Sequence, residues 1–389
     1  MTQRLRRGLL CAGLLGLSIL RAAADPAAPP GEPVSFAALR GFAGDDHLAA
    51  LTAFQASCVA IAADAPALRS AQPTPPALKA VCRAALALAP PVSPESARRF
   101  FETHFEPRRL EPAFFTGYYE PVVEGSLAPL PGFRTPLLAR PADLVSGEPG
   151  QPLPGLDPAL SAGRRLPDGT LAPVPDRAAI EAGALGANAP PLVYVRDPAE
   201  AFFIHVQGSA RVRLPDGSTR RLVYAGRNGQ PYTSIGRVLV DELGIPPAEM
   251  GMAQLKDWIR AHGQGPGEAG SLLMQRNRSY IFFGFDETLP PSAGPIGGAG
   301  ISLTALRSLA IDRLIWPYGL PFFLDVALPW RADALEPFQR VMIGQDTGTA
   351  IVGPARGDIF FGTGAEAARL AGPIRHKGTL FVLWPKSED

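Results

Sequence analysis

The chain has 389 residues, 46% of them hydrophobic, and a formal net charge of +1. That balance leaves no basic footprint for nucleic acid and no polybasic membrane patch, and the length allows two domains with real cores. The 43 prolines and 41 glycines work against long helices and favour short strands joined by many turns.

Residues 1–24 begin with Arg4, Arg6 and Arg7, continue into an apolar run, and end in Ala22-Ala23-Ala24. This is the pattern of a cleaved secretory signal peptide. The run is shorter than the roughly 20 residues needed to span a bilayer. Cys11 lies inside it with no lipobox before it. The expectation is therefore an exported, periplasmic protein without a lipid anchor. Cys58 and Cys82 remain after cleavage, and they either pair as a disulfide or stand as two buried thiols. The five histidines are scattered without ligand spacing, so neither a metal nor a cofactor is expected.

Residues 35–106 read as helices. "DDHLAALTAFQASCVAIAA" (45–63) has an acidic start and apolar residues at helical spacing, and Ser93-Pro94 is an N-cap followed by proline at the first helical position. From Phe114 the texture turns to strands at "FFTGYYEPVVEG", "PLVYVRD", "AFFIHVQGSARVRL" and "RRLVYAG", with Pro215-Asp216-Gly217 as a hairpin turn. Residues 126–175 read as long loops. Helices follow at "TSIGRVLVDELG" (233–244) and "PPAEMGMAQLKDWIRAHG" (246–263), each ended by glycine. The final third returns to strands.

That third contains "QDTGTAIVGPARGDIFFGTG" (345–364), with Asp346 in an Asp-Thr-Gly tripeptide and Asp358 after "RG". An aspartic protease needs two such loops, with carboxylates about 3 Å apart sharing a proton. The chain has one. The tripeptide then reads as a strand-end turn, and the two aspartates are open to the acid and nucleophile posts of a glycosidase. Asp358 is followed by "IFF", the apolar setting that keeps a general acid protonated; Asp346 has polar neighbours. A glycan groove also needs aromatic faces and neutral hydrogen-bonding groups. Thr116, Tyr118 and Tyr119 of "TGYYEP", Gln207 and Ser209 of "HVQGS", Tyr232, and Arg356 as a partner for a carboxylate are the candidates. Alternation along a strand places one of Tyr118 and Tyr119 in the core.

Six blocks in order carry a resemblance: "FTGYYEP", "DRAAIEAGAL", "IHVQGSARVRL", "YAGRNGQPYTSIGRVL", "NRSYIFF" and the Asp346–Asp358 segment. The chain resembles the MltA family of lytic murein transglycosylases. The resemblance implies a mainly β protein with a helical N-terminal segment. A double-psi β-barrel domain would be made from 25–115 and 231–389, with a second β-rich domain (116–230) inserted and a groove between them. It further implies a peptidoglycan lytic exotransglycosylase, a carbon–oxygen lyase cutting between N-acetylmuramic acid and N-acetylglucosamine, with Asp358 as the acid. Asp346 either orients and tunes Asp358 or serves as a structural turn residue. Alternatives are a hydrolytic muramidase and a non-catalytic glycan-binding protein. Peptidoglycan strands are the expected partner of a monomer, with peripheral outer-membrane association and cell-wall enzyme partners left open.

Overall fold

The computed structural model describes residues 29–148, 151–246 and 250–387; the leader expected at 1–24 lies outside them. A short strand β1 (Glu32–Pro33) precedes three helices, α1 (His47–Ala62), α2 (Pro76–Leu86) and α3 (Pro94–His104). Asp46 caps α1 by accepting from the Ala49 N–H. Ser93 caps α3 by accepting from Ser96 N–H, with Pro94 next in line. Cys58 on α1 and Cys82 on α2 form a disulfide. The 24-residue separation corresponds to about 3 kcal/mol of stabilisation in the chain-entropy picture. Urea denaturation of Cys82→Ser should show a loss of that order; a loss below about 1 kcal/mol would mean that helix packing alone holds the pair.

The chain then enters β2 (Phe105–Glu120) and a second region made of β3 (Val122–Ser126), β4 (Thr135–Leu138), β5 (Leu144–Ser146), β6 (Ala162–Arg165), β7 (Leu171–Pro173), α4 (Arg177–Glu181), β8 (Pro191–Val195), α5 (Pro198–Gln207), β9 (Ala210–Arg213), β10 (Thr219–Arg227), α6 (Ile235–Leu243), α7 (Met252–Ala261), α8 (Ala269–Gln275) and β11 (Ile281–Asp286). It returns through β12 (Ser308–Ala310), β13 (Pro321–Leu328), β14 (Glu336–Asp346), β15 (Arg356–Thr363), α9 (Ala365–Ala371) and β16 (Arg375–Pro385).

The first sheet has the order β1-β2-β15-β12-β14-β13-β16, and β16 also pairs with β2, so all its strands except β1 close into a barrel. Helices α1–α3 pack on it. Phe54, Phe101, Phe105, Phe322, Phe323 and Trp316 fill one continuous core, each almost wholly withdrawn from water. The second sheet has the order β11-β10-β9-β3-β8-β4, and a bridge from Ala139 to Phe283 brings its outer strands together. Because β11 pairs with β10, this sheet reaches residue 286, past the expected boundary at 230, and α6–α8 lie between two of its strands.

The two regions meet at Glu120, the last residue of β2. Its fully buried carboxylate accepts from Arg211 Nε at 2.6 Å and faces Arg221 Nε at 3.4 Å, tying the end of β2 to β9 and β10.

Three sequence expectations are corrected. The strand expected over 201–214 is a helix up to Gln207 and a strand only from Ala210. Asp197 caps that helix through the Glu200 N–H, Pro198 takes its first position and Gly208 ends it. An apolar stretch buried on several sides lacks the one-sided period that separates helix from strand. The loop segment 126–175 contains β4 and a small antiparallel sheet, β5-β6-β7. The helix expected over 246–263 begins at Met252.

Candidate active site

Two strands of the first barrel carry the aspartates, and a third lies between them. Ala310 of β12 is in register with Asp346 of β14 on one side and with Asp358 of β15 on the other. Asp358 is in turn in register with Thr116 of β2. Residues in register across a sheet share a face, so the row Asp346, Ala310, Asp358, Thr116 points the same way. The backbones of the two aspartates stand two strand spacings apart, about 10 Å, and Ala310 between them is buried in an apolar cluster with Tyr118 and Phe360.

The carboxylates are held differently. Asp346 Oδ1 accepts from the backbone N–H groups of Gly298 (2.7 Å) and Thr347 (2.8 Å), and its Oδ2 accepts from the Tyr118 hydroxyl at 2.8 Å. A Cβ at position 298 would sit 2.5 Å from the Tyr318 hydroxyl oxygen, so a larger residue there would require Tyr318 to move. Asp358 Oδ1 accepts from the Thr116 hydroxyl at 2.5 Å, and Thr116 Oγ1 accepts from Arg356 Nη2 at 2.7 Å. Since Arg356 can only donate, it orients the threonine hydroxyl hydrogen toward Asp358.

Burial pushes both carboxyls above the ordinary carboxylate range. Arg356 and the Thr116 bond oppose the rise at Asp358, while the charge of Asp346 adds to it. At Asp346 the two backbone N–H groups and Tyr118 act against burial. Burial and both aspartates raise Tyr118 well above its usual value, so it stays a neutral donor.

These groups line a groove of ≈ 370 Å³ between the first barrel and the second region. Thr116, Tyr118, Gln207, Ser209, Tyr232, Asp346, Arg356 and Asp358 all lie on its wall. Tyr119 does not. Next to Tyr118 on an extended strand, it turns to the other face, joins the main core, and leaves its backbone N–H to donate to Gln207 Oε1 at 3.0 Å. Sequence reasoning missed Arg69, Tyr224, Arg227, Gly298 and Thr347, which also line the groove. Tyr224 and Arg227 stand in the "YAGRNG" block; nothing local marks Arg69, which arrives from the loop after α1.

The MltA specific insert domain matches residues 114–284 and the 3D domain matches residues 307–384. A crystal structure of membrane-bound lytic murein transglycosylase from Agrobacterium tumefaciens superposes with a TM-score of 0.80 at 36% identity, over 91% of this chain and 97% of that one. The chain belongs to the MltA family. MltA from Neisseria gonorrhoeae, in a monoclinic crystal form, gives a TM-score of 0.71 at 29% identity, over 92% of this chain and 93% of that one. The membrane-bound lytic murein transglycosylase A of Escherichia coli K12 is 33% identical over 276 residues, which are 69% of this chain and 65% of that protein, just under two thirds of its length. The gap between the two matches, residues 285–306, spans the end of β11 and the approach to β12, where the chain leaves the second sheet and returns to the barrel that bears the aspartates. Among the described residues no helix is long and apolar enough to cross a membrane.

Proposed function

We propose that the protein is a lytic transglycosylase that cuts the β-1,4 bond from N-acetylmuramic acid to N-acetylglucosamine in peptidoglycan, with Asp358 as its single proton carrier. The supporting observation is the asymmetry of the two carboxyls. Asp346 spends both oxygens on three protein donors, which suits a fixed carboxylate. Among the described residues the Asp358 side chain has one hydrogen bond, from Thr116 to Oδ1, which leaves Oδ2 for substrate.

In this mechanism protonated Asp358 gives its proton to the glycosidic oxygen, which leaves on N-acetylglucosamine. The 6-hydroxyl of the same muramic acid then attacks C1, and its proton passes to the Asp358 carboxylate. The acid is regenerated and no water is consumed. The intramolecular nucleophile supplies the high effective molarity that a hydrolase must obtain by positioning a water. Asp346 provides fixed negative charge beside the developing oxocarbenium ion. Tyr118, Gln207, Ser209 and Tyr232 offer the ring and hydrogen-bonding surface for the sugars, and murein places the enzyme's work in the periplasm.

Mass spectrometry of soluble muropeptides released from purified murein tests this reading. Products lighter by one water than their hydrolytic counterparts are expected. Hydrated, reducing ends would make the enzyme a muramidase, and no release at all would leave a glycan-binding protein.

A further inference from the structure

Asp346 and Asp358 occupy one part of the groove; another part of its wall is cationic. Arg69 and Arg227 line it, and Arg313 stands close enough for its charge to act on Arg227. Arg69 Nη1 donates to the Thr347 carbonyl at 3.0 Å, and Arg227 Nη1 donates to Thr349 Oγ1 at 2.6 Å while its Nη2 donates to Ser161 Oγ. Arg313 donates to the Ser70 carbonyl. The Arg69 guanidinium lies over the Tyr224 ring, 5.4 Å from its centre.

All these partners are neutral. Among the described residues none of the three arginines forms an ion pair within 4.0 Å; Glu148 acts on Arg313 only through its longer-range field. Burial and the neighbouring cations bring Arg227 down to about 10. Three guanidiniums gathered with no carboxylate in ion-pair contact cost folding energy, because like charges repel and each has lost part of its hydration. An incoming anion would relieve both costs.

We propose that Arg69 and Arg227, backed by Arg313, form a carboxylate subsite of the groove that binds an acidic substituent of muramic acid, either its lactyl carboxylate or a carboxylate of the attached peptide. The proposal rests on the glycan-cleaving reading above. Since the charge of Arg69 reaches Asp346, the subsite adjoins the reacting sugar. The planar fork of each guanidinium matches a carboxylate in two-point geometry.

The test measures affinity in the Asp358→Asn background, to prevent turnover, for three probes: chitohexaose, which carries no carboxylate; glycan strands stripped of peptide, in which the lactyl carboxylate is free; and peptide-bearing strands, in which the lactyl carboxyl is an amide and the free carboxylates belong to the peptide. Arg227→Gln and Arg69→Gln are compared with the parent, each checked by its melting temperature. The expected result is that the preference for a carboxylate-bearing probe over chitohexaose falls about tenfold or more, the scale of one charge-assisted hydrogen bond. A fall for peptide-free strands alone assigns the subsite to the lactyl carboxylate, a fall for peptide-bearing strands alone assigns it to the peptide, and a fall for both means that it takes a carboxylate from either source. An unchanged preference in both variants, whether affinity is kept or lost equally for every probe, overturns the subsite. If the parent binds none of the three probes, the glycan reading itself fails.

Discussion

Replacing Asp358 with asparagine should lower activity on murein by at least about 100-fold, the usual scale of lost general acid–base help, and leave the fold intact. The amide can still accept the Thr116 hydroxyl at the position of Oδ1, so the hydrogen-bonded chain from Arg356 survives. What disappears is the titratable proton. Stability provides an independent readout. Burial raises the Asp358 pKa in the fold, so between the ordinary carboxylate range and that raised value the folded protein holds more protons than the unfolded chain. Stability then falls as pH rises through this window. At neutral pH the wild type carries that penalty and Asp358→Asn does not. The variant should therefore melt no lower than wild type at pH 7 and lose any advantage at pH values below the ordinary carboxylate range. Near-normal activity of Asp358→Asn would remove Asp358 from the reaction.

Asp346→Asn should cost less than Asp358→Asn and should change the shape of the pH profile. Its oxygen can keep the N–H donors of Gly298 and Thr347, and its amide can donate to a Tyr118 hydroxyl turned round to accept. The lost negative charge is one of the influences that hold Asp358 up. In the proposed mechanism activity depends on protonated Asp358, so it should decline as pH rises through that group's pKa; without Asp346 the decline should begin at lower pH. Rate measured against pH for wild type and variant checks the displacement. A two-carboxylate hydrolase would instead lose activity comparably and nearly completely with either substitution, at every pH.

Local chemistry was readable in the sequence where a few adjacent residues decide the outcome. The Ser93 cap and the hairpin between β9 and β10 are such cases. Helix α5 shows the limit. Its Asp-Pro start and glycine end were present, but the apolar run between them fits either period, and packing on both sides decided it. Barrel closure and register were not readable, because they depend on pairings across the chain. The place of Ala310 between the aspartates follows from β12 lying between β14 and β15, and the arrival of Arg69 at the groove depends on a tertiary contact with Thr347. The six motif blocks filled this gap by implying a shared fold, and Tyr119 shows their cost, since a residue can stand within a conserved-looking block and still serve the core.

The pairing of β2 with β15 and β16 has a consequence for the order in which the molecule is made. Thr116 and Asp358 are 242 residues apart, so during synthesis β2 emerges long before either of its barrel neighbours. The second region, whose strands all lie between β3 and β11, can form while β2 still waits, as early-made parts of a chain commonly do. Any product that stops short of β15 has the groove's far wall and no acid, and one that stops short of β16 has an unclosed barrel. The strand that bears Asp358 is thus among the last parts of the chain to be made, and a nascent chain that ends before it lacks the proposed acid.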